Sequence, residues 1–172
     1  MIGKNAFWQG GGMENLKLYQ VTEEYVEYLS LYAPHLFRNR QERGKKTRKF
    51  IGAVLKVNGM EYLAPLSSFK EKHKNMKDSL DFIKVKDYAV INLNNMFPIP
   101  AGQYRYVDIS GEEDEKYQDL LRAEYRYIKS IQKNIRRNAS ILYRKQITED
   151  TPLTARCNDF LKLEEMCRIY SP

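Results

Sequence analysis

Two adjacent hydroxyls and a lysine stand where a predicted strand ends: Ser67, Ser68 and, one residue further, Lys70. A capping-box pattern from Ser68 to Glu71 predicts a short helix over 69–75. The unpaired backbone N–H groups of a helix N-terminus attract anions, and the hydroxyls and the ammonium group add donors beside them. This combination suits a phosphodiester, so the segment predicts a site for nucleic acid.

Metal-independent cleavage of RNA needs a base for the ribose 2′-OH, donors that stabilise the phosphorane and an acid for the 5′-oxygen. Ser67, Ser68 and Lys70 could stabilise the phosphorane, and Lys70 or a nearby arginine could be the acid. The base stays open, because a lysine is a base at neutral pH only when neighbouring cations lower its pKa. The cations that could do so are Lys45, Lys46, Arg48 and Lys49.

Each of these residues also has an ordinary structural interpretation. Ser68 would serve as a plain helix N-cap, Ser67 as a backbone-bonded hydroxyl and Lys70 as a solvated cation. His73, one helical turn beyond Lys70, is either a solvated histidine or a proton donor or acceptor. The acidic residues form no cluster suited to Mg²⁺, which argues against a metal-dependent nuclease. We expect no metal and no cofactor.

The charge of the chain indicates an acidic partner. The 172 residues carry a formal net charge of +7, with a sequence pI of about 9.3. RNA, DNA or an anionic membrane surface would satisfy such a charge. Thirteen tyrosines provide aromatic rings that could stack on bases. Between residues 35 and 49 the chain forms a basic connection with five candidate RNA contacts besides Arg48 and Lys49: Arg38, Arg40, Arg43, Lys45 and Lys46.

Targeting and redox signals are few. The two cysteines, Cys157 and Cys167, have neither a disulfide framework nor metal-ligand spacing. No apolar stretch is long enough to cross a membrane. These features favour a reduced, cytoplasmic compartment. Residues 1–12 end in three glycines and are expected to be a disordered leader or tag, with residues 13–172 forming one domain.

Periodicity predicts elements in the order β-α-ββ-α-βββ-α-α. The turn dipeptide Asn58-Gly59 favours a hairpin, and Gly52 inside its first strand indicates a bend or a close backbone approach. A long amphipathic helix, whole or broken near Asn138, is predicted over 114–146, and a terminal helix over 159–170 with Asn158 or Asp159 as its cap. The fold class is α+β: a compact antiparallel sheet or small barrel with surrounding helices. Strands are predicted over 16–21, 50–57, 60–66, 82–85, 88–93 and 104–109, with an irregular strand near 98–100.

Cations on the polar side of the long helix are predicted to contact RNA rather than to catalyse, because they have few acidic partners at helical spacing. A solvated helix face is the ordinary alternative. These cations are Arg122, Arg126, Lys129, Lys133, Arg136 and Arg137.

Several stretches, in this order and spacing, resemble the ToxN/AbiQ family of endoribonuclease toxins from type III toxin–antitoxin and phage-abortive systems. The resemblance runs from about Leu16 to the end of the chain. Phe69 stands where proline is common in the family. The stretches are Phe-Ile-Gly-Ala-Val-Leu at 50–55, Asn-Gly at 58–59, Tyr-Leu-Ala-Pro-Leu-Ser-Ser-Phe-Lys at 62–70, Val-Ile-Asn-Leu-Asn-Asn-Met-Phe-Pro-Ile at 90–99 and Cys-Asn-Asp-Phe-Leu-Lys-Leu-Glu-Glu at 157–165.

This resemblance implies a strongly twisted, MazF/Kid-like sheet and an active site lined by Ser67, Ser68 and Lys70. It also implies that Arg48, or else Lys49, takes the place of an active-site lysine. The implied activity is metal-independent cleavage of single-stranded RNA that leaves 2′,3′-cyclic phosphate and 5′-OH ends. The implied partners are target mRNA and a repeated pseudoknot antitoxin RNA, which the toxin processes and which then inhibits it within a closed protein–RNA assembly.

Two other function classes stay open on the residues alone. A non-catalytic RNA-binding module needs only the basic surface and the aromatic rings. A DNA-binding regulator is less well supported, since no helix-turn-helix spacing is present.

Overall fold

A computed structural model describes residues 14–36 and 48–172. The proposed leader and five candidate RNA contacts (Arg38, Arg40, Arg43, Lys45 and Lys46) lie outside the described residues. The described chain forms a seven-stranded sheet in which every pairing is antiparallel. Its strands are β1 Lys17–Val21, β2 Lys49–Val57, β3 Met60–Ser68, β4 Phe82–Val85, β5 Ala89–Asn92, β6 Phe97–Ile99 and β7 Tyr104–Tyr106.

Within the described residues, four α-helices accompany the sheet: α1 Glu23–Ser30, α2 Glu115–Thr148, α3 Pro152–Ala155 and α4 Phe160–Ile169. The long helix α2 is a single element, so of the two predicted alternatives the unbroken helix is confirmed and the break near Asn138 is wrong. Asn138 is buried within it. The short helix α3 was not predicted from the sequence.

The strand order is β4-β5-β3-β2-β1-β7, and β6 pairs with β3 beside β5. The sheet does not close on itself, so of the two predicted alternatives the antiparallel sheet is confirmed and the small barrel is wrong. Two apolar layers cover the sheet. One combines its strands with α2, and the other combines them with α1 and α4.

The central hairpin is confirmed. Asn58 and Gly59 both have positive φ, at 50° and 77°, as a type I′ turn requires. At Gly52 the β2–β3 register shifts, and a Cβ there would collide with the side chain of Leu63. Gly52 therefore provides the bend and the close approach that its position predicted.

The predicted helix over 69–75 is wrong. Strand β3 continues to Ser68, which pairs with Ala89 of β5, and only one 3₁₀ turn, Glu71–His73, follows. Tertiary pairing of β3 with β5 has overridden a local capping signal, because the ladder satisfies the backbone groups that a helix would otherwise use.

The last two family-like stretches meet in space. Buried Asn158 donates its backbone N–H to the Asn94 carbonyl at 2.9 Å and its amide group to the Met96 carbonyl at 3.2 Å. Asp159 is the N-cap of α4 and accepts the Lys162 N–H. Helix α4 is thereby fixed against the sheet beside β6.

A buried carboxylate ties the same helix to the core. Oε1 of Glu164 accepts the hydroxyls of Tyr62 on β3 and Tyr143 on α2, at 2.6 and 2.7 Å. Cys157 and Cys167 are both free thiols. None of the helices within residues 14–36 and 48–172 has the length and apolar character needed to cross a membrane.

Candidate active site

The hydroxyl of Ser67 lies at the centre of the candidate site. Its Oγ accepts a hydrogen bond from Nη1 of Arg48 at 2.8 Å and another from Nδ2 of Asn92 at 3.3 Å. Arg48 directly precedes β2, and Asn92 ends β5, so the two strands that flank β3 each contribute a donor. Because both bonds are accepted by the oxygen, the Ser67 hydrogen is left to donate.

Arg48 presents a half-buried guanidinium beside this hydroxyl. Burial lowers the pKa of Arg48 below its ordinary value, which weakens its hold on its protons. The group still carries five donors in a planar fork that matches phosphate geometry. Of the two cations that the resemblance left open, the structure places Arg48 against Ser67.

Ser68 and Lys70 are both exposed. Between them, the backbone N–H of Phe69 donates to the Tyr88 carbonyl at 3.4 Å, which keeps the segment beside β5. Successive strand residues face opposite sides, so the Ser67 oxygen faces Arg48 while Ser68 faces solvent. The donors here are side chains at a strand end, because a three-residue 3₁₀ turn cannot provide the predicted helix N-terminus.

His73 is buried, with 6% of its surface exposed. Its Nδ1 accepts the backbone N–H of Lys70 at 2.9 Å, and its ring lies 5.5 Å from that of Phe69 and 5.7 Å from that of Phe82. Burial, with smaller contributions from Lys72 and Lys70, lowers the pKa of His73 below its ordinary value. The solvated alternative is therefore wrong: a neutral imidazole fixes the turn that presents Lys70.

Lys49 extends toward α2 on the other side of β2. It is 8% exposed, and its Nζ lies 5.8 Å from the centre of the Tyr117 ring. Glu124, 6% exposed, shares this layer. Burial raises the pKa of the Glu124 carboxyl to about 7, and the positive charge of Lys49 opposes the rise. The pKa of Tyr117 rises to about 12, mainly through burial and further through the charge of Glu124.

Sequence reasoning missed both Glu124 and Asn92 as neighbours of the candidate residues. Glu124 had a visible signal, since it lies at helical spacing between Leu121 and Ile128 on the apolar stripe of α2. A carboxylate in such a stripe predicts burial and a partner. Asn92 lies within a family-like stretch, but nothing in its local sequence indicates the contact with Ser67.

Five predicted RNA contacts on α2 are exposed and fall at spacings of three and four residues, which places them on one side of the helix. We call them the basic stripe: Arg122, Arg126, Lys129, Lys133 and Arg137. Arg122 has a partner in Asp119 at 3.7 Å, so its charge is partly compensated.

Arg136 differs from these five. It is half-buried, donates to the backbone carbonyl of Glu14, and has a pKa that burial lowers. It anchors the start of the described chain. Among residues 14–36 and 48–172, no group of three or more His, Cys, Asp or Glu side chains is placed to hold a metal ion.

Comparison with known proteins adds a family to this geometry. The chain matches the family model described as "Toxin ToxN, type III toxin-antitoxin system" over residues 17–168. It is 28% identical over 167 residues to the endoribonuclease ToxN of Bacillus thuringiensis subsp. kurstaki, covering 91% of this chain and 85% of that protein.

Solved structures agree with the sequence match. AbiQ, described as a lactococcal anti-phage endoribonuclease of the type III toxin–antitoxin system, superposes with a TM-score of 0.81 at 25% identity, covering 91% of this chain and 98% of that one. A second structure, of a type III system described with selective toxin inhibition by a non-coding RNA pseudoknot, has a TM-score of 0.77 at 26% identity. That match covers 90% of this chain and 97% of the other.

Proposed function

The chain belongs to the ToxN family of toxins of type III toxin–antitoxin systems, and from this premise we propose that it cleaves single-stranded RNA at the strand end that holds Ser67. The observation that carries the proposal is the environment of this hydroxyl. Arg48 and Asn92 hold its oxygen, and Ser68 and Lys70 are exposed beside it. The end of β3 thus carries hydroxyl and ammonium donors beside the Arg48 guanidinium, and we infer that a phosphodiester binds across this strand end.

The proposed reaction is an internal transesterification. The ribose 2′-oxygen attacks the adjacent phosphorus and loses its proton to solvent water. The bond from phosphorus to the 5′-oxygen breaks, and that oxygen takes a proton from Lys70, which solvent then reprotonates. The products are a 2′,3′-cyclic phosphate and a 5′-OH end. No metal is required, because cationic side chains can stabilise the charge on the phosphorane.

Each candidate residue has a separate part in this reaction. Ser67, held by Arg48, and the Ser68 hydroxyl donate to the non-bridging oxygens of a phosphodiester that lies across the end of β3. Lys70 stabilises the same charge and protonates the departing 5′-oxygen. His73 is a positioning residue, because it holds the backbone of Lys70 rather than facing solvent. Lys49 adds positive charge from within the neighbouring layer.

The proposed partners are RNAs. Relatives of this chain include a toxin described as inhibited by a non-coding RNA pseudoknot, and we extend that partner to this chain. The pseudoknot RNA would be cut from a precursor and would then occupy the phosphate site, within a closed protein–RNA assembly. The basic stripe would contact RNA phosphates outside the cleavage site. An RNA-cleaving toxin with free thiols would act in the cytoplasm.

The test separates an enzyme from an RNA-binding module. Ser67→Ala and Lys70→Ala are compared with the matched controls Ser110→Ala and Lys77→Ala, which replace exposed residues outside the site. Loss of one charge-stabilising donor is expected to lower the cleavage rate by about 10²- to 10³-fold. RNA affinity should change little, since most of it comes from distributed phosphate contacts.

Two results would contradict the proposal. Wild-type protein, freed of bound RNA, would bind single-stranded RNA without cutting it. Alternatively, Ser67→Ala and Lys70→Ala would cleave at the rates of their controls, which would place the reaction elsewhere on the protein.

A further inference from the structure

A cleft adjoins the candidate active site on the side of Phe69. Phe69 lies between Ser68 and Lys70 in the chain, and its side chain lines a cleft of about 410 Å³. Tyr127 of α2 lines the same cleft, together with Lys86 and Asp87 from the turn between β4 and β5. This volume lies in the range of about 300–1,000 Å³ that small-molecule sites occupy.

Two fixed aromatic rings form part of the lining. Phe69 is half-buried and packs edge-on against the buried imidazole of His73, with 5.5 Å between ring centres. Tyr127 is half-buried and packs against the apolar layer that includes α2, and Nζ of Lys86 lies 5.5 Å from the centre of its ring. Rings that are already immobilised lose little entropy when a nucleobase packs on them.

The charged groups around these rings suit a nucleotide better than an apolar ligand. Three lysines, Lys74, Lys84 and Lys86, lie beside two carboxylates, Asp78 and Asp87. Ammonium groups attract phosphates, and carboxylates accept hydrogen bonds from the N–H groups of a base edge.

One of the two carboxylates is already engaged. Asp78 accepts the backbone N–H of Lys84 at 3.0 Å, which fixes one wall of the cleft. Asp87 is exposed, so it is the carboxylate available to a base.

We propose that this cleft is a nucleotide subsite, in which Phe69 and Tyr127 contact the base of one unpaired nucleotide next to the phosphate at Ser67. This inference rests on the proposed function, because it assigns a neighbouring nucleotide to the same RNA strand. The chain connectivity supports it: the residue that lines the cleft lies between two residues that would hold the scissile phosphate. The subsite would select RNA whose bases are splayed out of a helix.

The experiment uses a ligand that cannot be cut. Short single-stranded RNAs carry 2′-O-methyl ribose throughout, which removes the attacking 2′-OH, and the fluorescent base 2-aminopurine at one position, which is moved along the strand. Stacking on an aromatic ring quenches this base, so one position should show quenching when the wild-type protein binds. Tyr127→Leu should abolish the quenching and weaken binding about tenfold, whereas Tyr125→Leu, on the same helix but outside the cleft, should do neither.

A second variant protects the test against misfolding. Phe69→Leu keeps an apolar side chain against His73 but removes the ring, and it should reduce quenching at the same position as Tyr127→Leu. The proposal is overturned if no position is quenched, or if Tyr127→Leu and Tyr125→Leu behave alike. Failure of the proposed function is distinguishable, because it would appear as uncut all-ribose RNA whatever the fluorescence shows.

Discussion

Replacing Glu124 by glutamine should change how the stability of the fold depends on pH. Burial raises the pKa of this carboxyl from 4.5 to about 7, so the folded protein keeps a proton that the unfolded chain releases. At and below pH 4.5 this preference costs the fold almost nothing. As pH rises toward 7, the unfolded state is increasingly favoured, and the fold loses stability.

The magnitude follows from the two pKa values. A difference between 4.5 and about 7 corresponds to about 3 kcal/mol of unfolding free energy lost by about pH 7. Glutamine cannot ionise, so Glu124→Gln should lack this loss. Its stability relative to wild type should therefore increase by about 3 kcal/mol between about pH 4.5 and about pH 7.

Urea denaturation at several pH values measures this difference directly. The matched control is Glu115→Gln, which replaces an exposed carboxylate on the same helix. Lys49→Met gives a second check: since the charge of Lys49 lowers the pKa of Glu124, its removal should extend the loss of stability to higher pH. Equal pH dependence for Glu124→Gln and Glu115→Gln would refute the argument.

Three further predictions concern the turn, the core and RNA binding. His73→Asn can retain an acceptor near the position of Nδ1 but does not titrate. Because the pKa of His73 in the fold is lowered from 6.5, wild type should lose stability as pH falls below 6.5, and the variant should lack this loss. Denaturation curves in which wild type and His73→Asn depend equally on pH would contradict this. Glu164→Ala should cost about 2–5 kcal/mol of unfolding free energy, since the hydroxyls of Tyr62 and Tyr143 lose their shared acceptor. The control is Glu165→Ala, at an exposed position of the same helix. Similar urea denaturation midpoints for the two variants would refute the prediction. Affinity for single-stranded RNA falls as salt rises, and replacing three cations of the basic stripe by glutamine should make the slope of log affinity against log salt concentration shallower by about 2. An unchanged slope would show that the stripe does not contact phosphates.

The parts of the fold that the sequence predicted are those in which local and tertiary preferences agree. The hairpin at Asn58-Gly59 needs positive φ at two adjacent residues, and that requirement is visible in the sequence. The apolar stripe of α2 likewise reflects burial that the fold provides. The helix expected after Ser68 is absent because β5 pairs there, and a pairing partner as distant in sequence as Ala89 gives no local signal.

The candidate site shows the same division. Residue types and spacing pointed to Ser67, Ser68 and Lys70, since hydroxyls and a lysine at a strand end are recognisable in the sequence. The contact of Asn92 with Ser67 joins residues from different strands, so only the register of the sheet reveals it. The burial of His73 likewise depends on the rings of Phe69 and Phe82, which the sequence alone does not bring together.

The most direct measurement is cleavage of single-stranded RNA in excess chelator, with the chemical ends of the products identified. We predict cleavage without divalent metal, 2′,3′-cyclic phosphate and 5′-OH ends, and no cleavage when the nucleotide at the cut carries 2′-deoxyribose. Ser68→Ala and Lys70→Ala should lose this activity, and Lys77→Ala should keep it. Cleavage that stops with chelator, or that leaves 5′-phosphate ends, would contradict attack by the 2′-oxygen at this strand end.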